Sequence, residues 1–322
     1  MIIVSGIQPS GLLHLGNYFG AIQQQIALQN QGEAYYFIAN YHALTSLHDA
    51  EKLRKYTFDI AAAYLALGLN PEKAALFKQS DVPEVTELSW ILNNVTPFGS
   101  MHRAHAFKDK VEKGLSANIG LFTYPILMAA DILIYGGELV PVGQDQVQHV
   151  EIAKDIASSF NHAFGQDFFK EPKYQLSVGS KVPGIDGEKM AKSRGNVIPL
   201  FGSPKEIQKA VSSIVTDSKD YTKEPLDPVK DTIFKLYSLM ATMEEVEGLR
   251  QKYLLDRTFG YGHAKQLLKQ KIEITFAEAN QKYSEFQKNP QLVEAILQKG
   301  ATKARDRALV TLKKVRQIVG LD

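Results

Sequence analysis

The 322-residue chain contains no cysteine and a single tryptophan. The lack of cysteine excludes disulfide bonds, thiolate zinc sites and a cysteine nucleophile, and it fits a reducing compartment. No stretch approaches the roughly 20 consecutive apolar residues that a transmembrane helix needs. The first residues also lack the basic and apolar regions of a secretory signal. We therefore expect a cytoplasmic protein that does not enter a membrane.

Several common signatures of nucleotide-binding and hydrolytic enzymes are also missing. No segment matches the phosphate loop GxxxxGK[ST], and no G-x-G-x-x-G opens a helix after a strand. No group of histidines and carboxylates has the spacing of a metal site. There is no G-x-S-x-G elbow, although the sequence leaves open a Ser-His-Asp triad built from distant residues. If the protein binds a nucleotide, it must hold the phosphates by another arrangement.

The first half of the chain alternates short apolar runs with amphipathic segments. Residues 1–4, 34–39 and 74–78 predict strands, and residues 18–30 and 52–69 between them predict helices. Strands separated by helices form parallel sheets with helices on both faces. We therefore predict an α/β domain with its ligand site at the carboxyl ends of the strands.

The middle of the chain continues this pattern. Residues 127–135 predict a buried helix because Asp131 is their only charged residue, and residues 138–142 predict a strand. A further helix is expected from about Gln144. Residues 180–204 are rich in glycine, proline, serine and lysine and predict a mobile loop.

The rest of the chain is predicted to be almost wholly helical. Thr242 and Glu245 fit a capping box at one helix start. From Lys299 onward there are seven basic and two acidic residues, which gives 7 − 2 = +5 before the terminal carboxylate. Such a helix either contacts a polyanion such as nucleic acid or presents a solvated face, and the sequence leaves both open.

Two short segments carry residues suited to a phosphate site. The first, QPSGLLHLGN at residues 8–17, leads from a strand into a helix, where free N–H groups and the helix dipole attract anions. Ordinary turn chemistry would place similar residues there. The second, GIDGEKMAKSRGN at residues 184–196, contains Lys189 and Lys192, and lysine can follow a phosphate chain as its charge moves. A solvated loop would also be rich in lysine.

Taken in order, the two segments resemble the HIGH and KMSKS signatures of class I aminoacyl-tRNA synthetases. Between them, YPILMAADILIY and LVPVGQDQVQHVEIAKDIA resemble the bacterial-type tryptophanyl-tRNA synthetase family. The similarity runs from Ser5 to about Asn196, resumes at residues 212–218, and is recognisable again at GATKARDRA near the end.

This resemblance implies a Rossmann-like catalytic domain over residues 1–187, with an inserted helical dimer segment. It implies a mobile KMSKS-type loop over residues 188–202 and a helical domain that binds the tRNA anticodon over residues 203–322. The last helix of that domain is expected to pack back on the catalytic domain.

The implied activity is that of a cytoplasmic, homodimeric ligase. It would activate L-tryptophan with ATP and transfer it to tRNA(Trp), with Mg²⁺ carried by ATP and no separate metal site. Neither DNA nor a membrane is an expected partner.

The resemblance also implies roles for individual residues. Catalytic roles fall on His14, Asn17, Lys189 and Lys192. The residues implied to contact ATP are Gln8, Pro9, Ser10, Gly16, Asn17, Gly143, Gln144, Asp145, Lys189, Met190, Ala191, Lys192 and Ser193.

Selectivity for tryptophan would rest on Asp131. A carboxylate in an apolar helix is costly to bury without a donor, and the indole N–H is a donor only. The alternative is that Asp131 accepts hydrogen bonds from protein groups. The other residues implied to form the amino acid pocket are Met128, Gln146, His42, Val140, Val142, Tyr124 and Val4. The lone tryptophan, Trp90, is expected in the core or at an interface rather than in the site.

Three positions depart from the usual pattern of the family. Asn17 stands in place of the second histidine of HIGH, Ala191 in place of a serine, and Val4 where phenylalanine is frequent. Three other interpretations stay open. They are a tyrosyl-tRNA synthetase with the same fold, a nucleotidyltransferase with a HIGH-type site but no tRNA, and a non-catalytic RNA-binding paralogue, favoured only by Ala191.

Overall fold

Five parallel strands form one sheet in the computed structural model, which describes residues 1–102, 118–176, 182–218 and 220–322. The strand order is β3-β2-β1-β4-β5. The strands are β1 Ile2–Ile7, β2 Glu33–Ile38, β3 Ala74–Lys78, β4 Leu139–Val142 and β5 Lys173–Leu176. The predicted parallel α/β sheet is therefore confirmed, and β5 is an edge strand that the sequence analysis missed.

Helices cover both faces of the sheet and make up most of the second half of the chain. The residues from Ala34 to Ile38 in β2 are all buried, as expected for a parallel strand covered on both faces. The helices of the described residues are Leu15–Asn17, Gln23–Leu28, Asn40–Ala43, Ala50–Ala66, Glu84–Asn93, Phe98–His102, Ile119–Leu133, Val147–Phe164, Pro204–Ser212, Thr232–Ser238, Met243–Leu255, Tyr261–Thr275, Ala277–Lys288 and Pro290–Val319. The helix predicted over residues 18–30 is interrupted, because Tyr18–Ile22 forms a π-helical turn. Within the described ranges, no helix has the length and apolar character needed to cross a membrane.

The chain packs as two compact units. Unit 1 comprises Met1–Gly11, Gln24–Ser177 and Phe286–Asp322, and unit 2 comprises Leu12–Gln23 and Val178–Glu285. The domain boundaries expected from the family resemblance are functional boundaries, and they stay predictions.

The last helix, Pro290–Val319, belongs to unit 1 and packs against β3 and helix Glu84–Asn93. At Gly300 the helix touches the strand so closely that a Cβ atom would lie 2.1 Å from the carbonyl oxygen of Leu76. The N-terminal half of this helix therefore requires glycine at its contact with the sheet.

Basic side chains of the same helix form ion pairs within unit 1. Lys299 lies 2.7 Å from Glu72, Arg305 lies 2.6 Å from Glu84, and Arg316 lies 2.6 Å from Glu87. Lys303 lies 3.4 Å from Glu33. These carboxylates neutralise four of the seven positive charges counted from Lys299 onward, so the charge count alone does not decide between a polyanion site and a solvated face.

The capping box at Thr242 and the position of Trp90 were both predicted from the sequence. The capping box is confirmed, because the Glu245 carboxylate accepts from the Thr242 N–H at 2.8 Å and the Glu245 N–H donates back to the Thr242 hydroxyl at 3.3 Å. Trp90 is not a core residue, since 70% of its surface is exposed on helix Glu84–Asn93. Its placement at an interface stays a prediction.

Candidate active site

In unit 2, the segment HLGN lies against the chain that follows the lysine-bearing loop. The Leu15 N–H donates to the Ile198 carbonyl at 3.0 Å, and the Leu200 N–H donates to the Leu13 carbonyl at 3.0 Å. His14 and Pro199 form an antiparallel bridge between these bonds. The structure therefore brings together the two signature segments, which are about 170 positions apart in the sequence.

Gly16 contacts the lysine-bearing loop through its backbone. Its N–H donates to the Met190 sulfur at 3.3 Å, and a Cβ atom at this position would lie 3.2 Å from the Met190 Cβ and 2.9 Å from His14 Nδ1. Met190 is buried in this contact. Asn17 stabilises the helix start, because its side-chain oxygen accepts from the His14 N–H at 3.1 Å. Glycine at position 16 is thus required by close packing.

His14 and Lys192 have strongly shifted pKa values. Burial, and secondarily the positive charge of Lys192, lowers the pKa of His14 to about 4. Burial likewise lowers the pKa of Lys192 to about 8. At neutral pH the imidazole is therefore uncharged, and it can donate one N–H while Lys192 is still mostly a cation. His14 Nδ1 is buried without a hydrogen-bond partner among the described residues, so the ring keeps unused hydrogen-bonding capacity.

The lysine-bearing loop is a hydrogen-bonded hairpin in its described part. The Met190 N–H donates to the Val182 carbonyl at 2.9 Å, and Pro183 forms a bridge with Lys189. A short 3-10 turn, Lys192–Arg194, follows Ala191 and ends in a left-handed glycine at position 195 with φ of 66°. The composition of this segment predicted a mobile loop, and the hydrogen bonds give the loop a defined shape.

In unit 1, Asp131 is a buried carboxylate held by two neighbouring side chains. Gln79 Nε2 lies 2.8 Å from each of its oxygens, and His42 Nε2 lies 2.8 Å from Oδ2. Burial raises the pKa of Asp131, against the opposing effects of the His42 hydrogen bond and charge and of the Gln79 hydrogen bond. Asp131 therefore accepts hydrogen bonds from protein groups, which is the alternative that the sequence left open. A carboxylate has about four lone-pair positions, so these contacts leave acceptor capacity for another donor.

Gln79 is a residue that the sequence analysis missed. Its side-chain oxygen accepts from the Tyr41 N–H at 3.0 Å, which directs its amide N–H groups toward Asp131. One signal was available, because Gln79 directly follows β3 at the carboxyl edge of the sheet, where ligands bind in such folds.

A second hydrogen-bonded group in unit 1 contains two of the predicted pocket residues. His149 Nδ1 lies 2.9 Å from the Gln146 side-chain oxygen, and His149 Nε2 bonds the Tyr124 hydroxyl. With Nδ1 donating to Gln146, Nε2 accepts from Tyr124. Burial raises the pKa of Tyr124 to about 12, so its hydroxyl stays protonated at neutral pH. His149 was not predicted as a site residue, although it lies in the quoted GQDQVQH segment.

The remaining predicted pocket residues are apolar. Val4 and Val140 are buried in the core of unit 1, and Met128 and Val142 are partly buried against the same core. Val4 packs against Gly137, where a Cβ atom would lie 2.9 Å from a Val4 methyl group. The structure thus gathers these four side chains in one core.

The remaining predicted ATP contacts in unit 1 come from loops. Gln8 Nε2 donates to the His42 carbonyl at 3.3 Å. Pro9 and Ser10 lie in the loop that follows β1, and Gly143 caps the 3-10 turn Gln144–Gln146 after β4. The side chain of Asp145, within that turn, lies outside the described part of the structure.

An open cavity of about 420 Å³ lies beside this region in unit 1. Its walls include His42, Tyr124 and Leu127. Because His42 also contacts Asp131, one side chain links the cavity wall to the buried carboxylate.

The chain is similar to known proteins along its whole length. A family model described as class I tRNA synthetases (W and Y) matches residues 1–277. A tryptophan–tRNA ligase from Rhodopirellula baltica is 50% identical over 321 residues and covers 100% of both chains. One from Fusobacterium nucleatum is 49% identical over 319 residues, covering 99% of this chain and 97% of its own. The solved structure of tryptophanyl-tRNA synthetase from Campylobacter jejuni, complexed with ADP and tryptophan, has a TM-score of 0.93 and 46% identity over 100% of both chains.

The parallel sheet and the match over residues 1–277 define a class I aminoacyl-tRNA synthetase of the tryptophan and tyrosine group. Relatives that match along the whole chain narrow this result: the chain belongs to the tryptophanyl-tRNA synthetase family. The family expected from the signature segments is confirmed. The roles of individual side chains stay predictions.

Proposed function

We propose that this protein activates L-tryptophan with ATP and transfers it to the terminal adenosine of tRNA(Trp), releasing AMP and pyrophosphate. One observation carries the proposal most directly. His14, at the start of a helix, and the Lys189–Lys192 loop lie against each other within unit 2, through the His14–Pro199 bridge and the contact between Gly16 and Met190.

The first step needs positioning and positive charge rather than a covalent nucleophile. The tryptophan carboxylate attacks the α-phosphate in line, and negative charge moves onto the departing pyrophosphate. In our proposal Lys189 and Lys192 bind that pyrophosphate, and neutral His14 donates an N–H to a phosphate oxygen. Mg²⁺ enters with ATP as part of the substrate. Ala191 contributes no hydroxyl, so this chemistry rests on the two lysines.

Tryptophan is selected in this proposal by Asp131. Its carboxylate is nearly inaccessible to solvent, and Gln79 and His42 hold it in place. An added hydrogen bond from the indole N–H would use its remaining acceptor capacity. A site that pairs a buried polar group with a substrate N–H rejects analogues lacking that group by about 10⁴-fold in favourable cases.

We also propose that the protein acts as a homodimer. Large apolar side chains are exposed on unit 1, among them Trp90 at 70%, Phe98 at 70% and Ile119 at 78%. Ser89 and Gly120, the chain neighbours of Trp90 and Ile119, line one cavity together with Leu44, which is also exposed. Exposed apolar side chains of this kind suit burial against a second copy of the chain.

The deciding experiment is pyrophosphate–ATP exchange without tRNA, measured with tryptophan and separately with tyrosine. We expect exchange that depends on tryptophan alone. Exchange with tyrosine alone would preserve the phosphate chemistry but refute the role of Asp131. Absence of exchange with either amino acid, from folded protein supplied with Mg²⁺, would refute the proposal.

Charging of tRNA(Trp) then tests the second step. A nucleotidyltransferase would release pyrophosphate from ATP without forming aminoacyl-tRNA. Attachment of tryptophan to tRNA(Trp), released by mild base as expected of an ester, separates the two activities.

A further inference from the structure

The lysine-bearing loop of unit 2 folds around the buried polar side chain of Asn196. Its Oδ1 accepts from the Ala191 N–H at 2.8 Å. Its Nδ2 donates to the Asp186 carboxylate at 2.7 Å and to the Lys189 carbonyl at 3.1 Å. The amide thus joins three points of the loop, and both of its N–H groups are used.

The backbone of the loop is shaped to accept this side chain. The Asn196 carbonyl accepts from the Ile185 N–H at 3.0 Å, and the Gly184 N–H donates to the Glu188 carbonyl at 2.6 Å. A Cβ atom at Gly184 would lie 2.4 Å from Asn196 Nδ2, so only glycine leaves room for the amide. With Asn196 in this position, the loop requires glycine at position 184.

The two backbone contacts of the amide lie on either side of Met190. Met190 is itself fixed, because its sulfur accepts from the Gly16 N–H at 3.3 Å. Lys192 comes two positions after Met190, and its positive charge helps to lower the pKa of His14. Asn196 accordingly fixes the stretch of main chain from which Lys189 and Lys192 project.

Fixing this main chain reduces the conformational freedom of two long side chains. A lysine loses rotamer entropy when it is immobilised, and an unanchored backbone would add to that cost. Misplacement of a charged group by about 1 Å can slow a reaction about 10²-fold.

We propose that Asn196 is a positioning residue for adenylate formation, which holds residues 189–191 so that Lys189 and Lys192 meet the phosphates of ATP together. Asn196 does not touch the substrate and acts through the two lysines. This inference rests on the proposed function and adds to it the Asn196 amide as the group that aligns Lys189 and Lys192.

Two variants separate positioning from general stability. Asn196→Ala removes all three side-chain hydrogen bonds. Asn196→Asp keeps an acceptor for the Ala191 N–H but places a second carboxylate beside Asp186. Combining it with Asp186→Asn restores a donor–acceptor pair between the two side chains with reversed polarity. Asn280→Ala is the matched control, because Asn280 also lies in unit 2 and its side-chain amide donates to the Phe276 carbonyl of a neighbouring helical turn.

We expect Asn196→Ala and Asn196→Asp to lower kcat for tryptophan-dependent pyrophosphate exchange by about 10²-fold, with KM for tryptophan changed less than about threefold. The double variant should recover a substantial part of kcat, and Asn280→Ala should behave like the wild type. Melting temperatures establish that the variants are folded.

The results distinguish this inference from the function on which it rests. Wild-type kcat in Asn196→Ala would overturn the inference alone. So would a parallel fall in kcat, tryptophan affinity and melting temperature without recovery in the double variant, since that pattern describes a structural role. Absence of exchange in the wild type would refute the proposed function and this inference with it.

Discussion

Asp131 shows how one buried charge depends on its immediate neighbours. An unpaired carboxylate in an apolar helix would cost several kcal/mol, and hydrogen bonds to charged groups return about 1.5–3 kcal/mol each. Gln79 and His42 supply such bonds, and the Tyr41 N–H keeps the Gln79 amide correctly oriented. The carboxylate is therefore held as an acceptor before any substrate arrives.

Replacing Gln79 with methionine tests this arrangement. The variant keeps the side-chain volume but removes the donor, so Asp131 should move or bind a proton. We expect KM for tryptophan to rise about 10- to 100-fold, with KM for ATP unchanged. Discrimination against 3-benzothienylalanine, which lacks the indole N–H, should fall in the same exchange assay. Gln166→Met, at an exposed glutamine, serves as the control. Unchanged tryptophan affinity in Gln79→Met would contradict the assignment.

Lys192 gives a prediction for pH dependence. Burial lowers its pKa to about 8, so the cation is present below that pH and is lost as the pH rises through it. We expect kcat/KM for ATP to decline above about pH 8, because neutral lysine no longer stabilises the phosphate charge. His14, with a pKa lowered to about 4, stays neutral from pH 6.5 to 9.5 and adds no slope there.

The measurement is pyrophosphate exchange across that pH range at constant ionic strength. Lys192→Arg is the informative variant, since arginine stays charged throughout. Its profile should be flatter above pH 8, even if its absolute rate is lower. The same decline in both proteins would show that another group is titrating.

At the scale of secondary structure, the sequence predicted those strands and helix ends whose signal lies within a few neighbouring residues. The apolar runs of β1, β2 and β3 and the capping box at Thr242 were of this kind. β5 was missed because its four residues, KYQL, are exposed and are defined only by pairing with β4. The π-helical turn at Tyr18–Ile22 has no signature in composition or periodicity.

The contact between helix Pro290–Val319 and β3 yields a stability prediction. Gly300→Ala would place a methyl group 2.1 Å from the Leu76 carbonyl oxygen, so helix and strand must separate. We expect a loss of about 1–3 kcal/mol in the free energy of unfolding, seen as a lower urea midpoint.

Gly248→Ala is the matched control for this change. Gly248 also lies inside a helix, and a Cβ atom there would meet nothing within 4 Å. Alanine should therefore raise stability by about 0.5–1 kcal/mol, because glycine loses more entropy on folding. Equal midpoints for Gly300→Ala and the wild type would refute the close packing on β3.

For the molecule as a whole, the signature segments were enough to predict fold and family, and both are confirmed. The supporting side chains were not predictable in the same way. Gln79, His149 and Asn196 have roles that follow from their hydrogen bonds to residues 52, 25 and 10 positions away. The residue pattern of one sequence does not reveal which polar side chains form hydrogen bonds across such distances.

The lone tryptophan provides a test of the proposed homodimer. Trp90 is 70% exposed in the single chain, so its fluorescence should shift to shorter wavelength as rising protein concentration buries it in a dimer. Trp90→Lys should favour the monomer in sedimentation velocity experiments. Met243→Lys, at a 91% exposed position of unit 2, should leave assembly unchanged. A dimer that persists in Trp90→Lys would place the interface elsewhere.

Unit 1 combines the first strands of the chain with its last helix, and this order has a consequence for biosynthesis. The side of β3 that helix Pro290–Val319 covers is completed some 200 residues before that helix is synthesised. Until the helix leaves the ribosome, the nascent chain presents an apolar sheet face that invites aggregation or chaperone binding. Any chain terminated before Pro290 would keep that face bare, so incomplete products should be recognised and degraded while full-length ones fold.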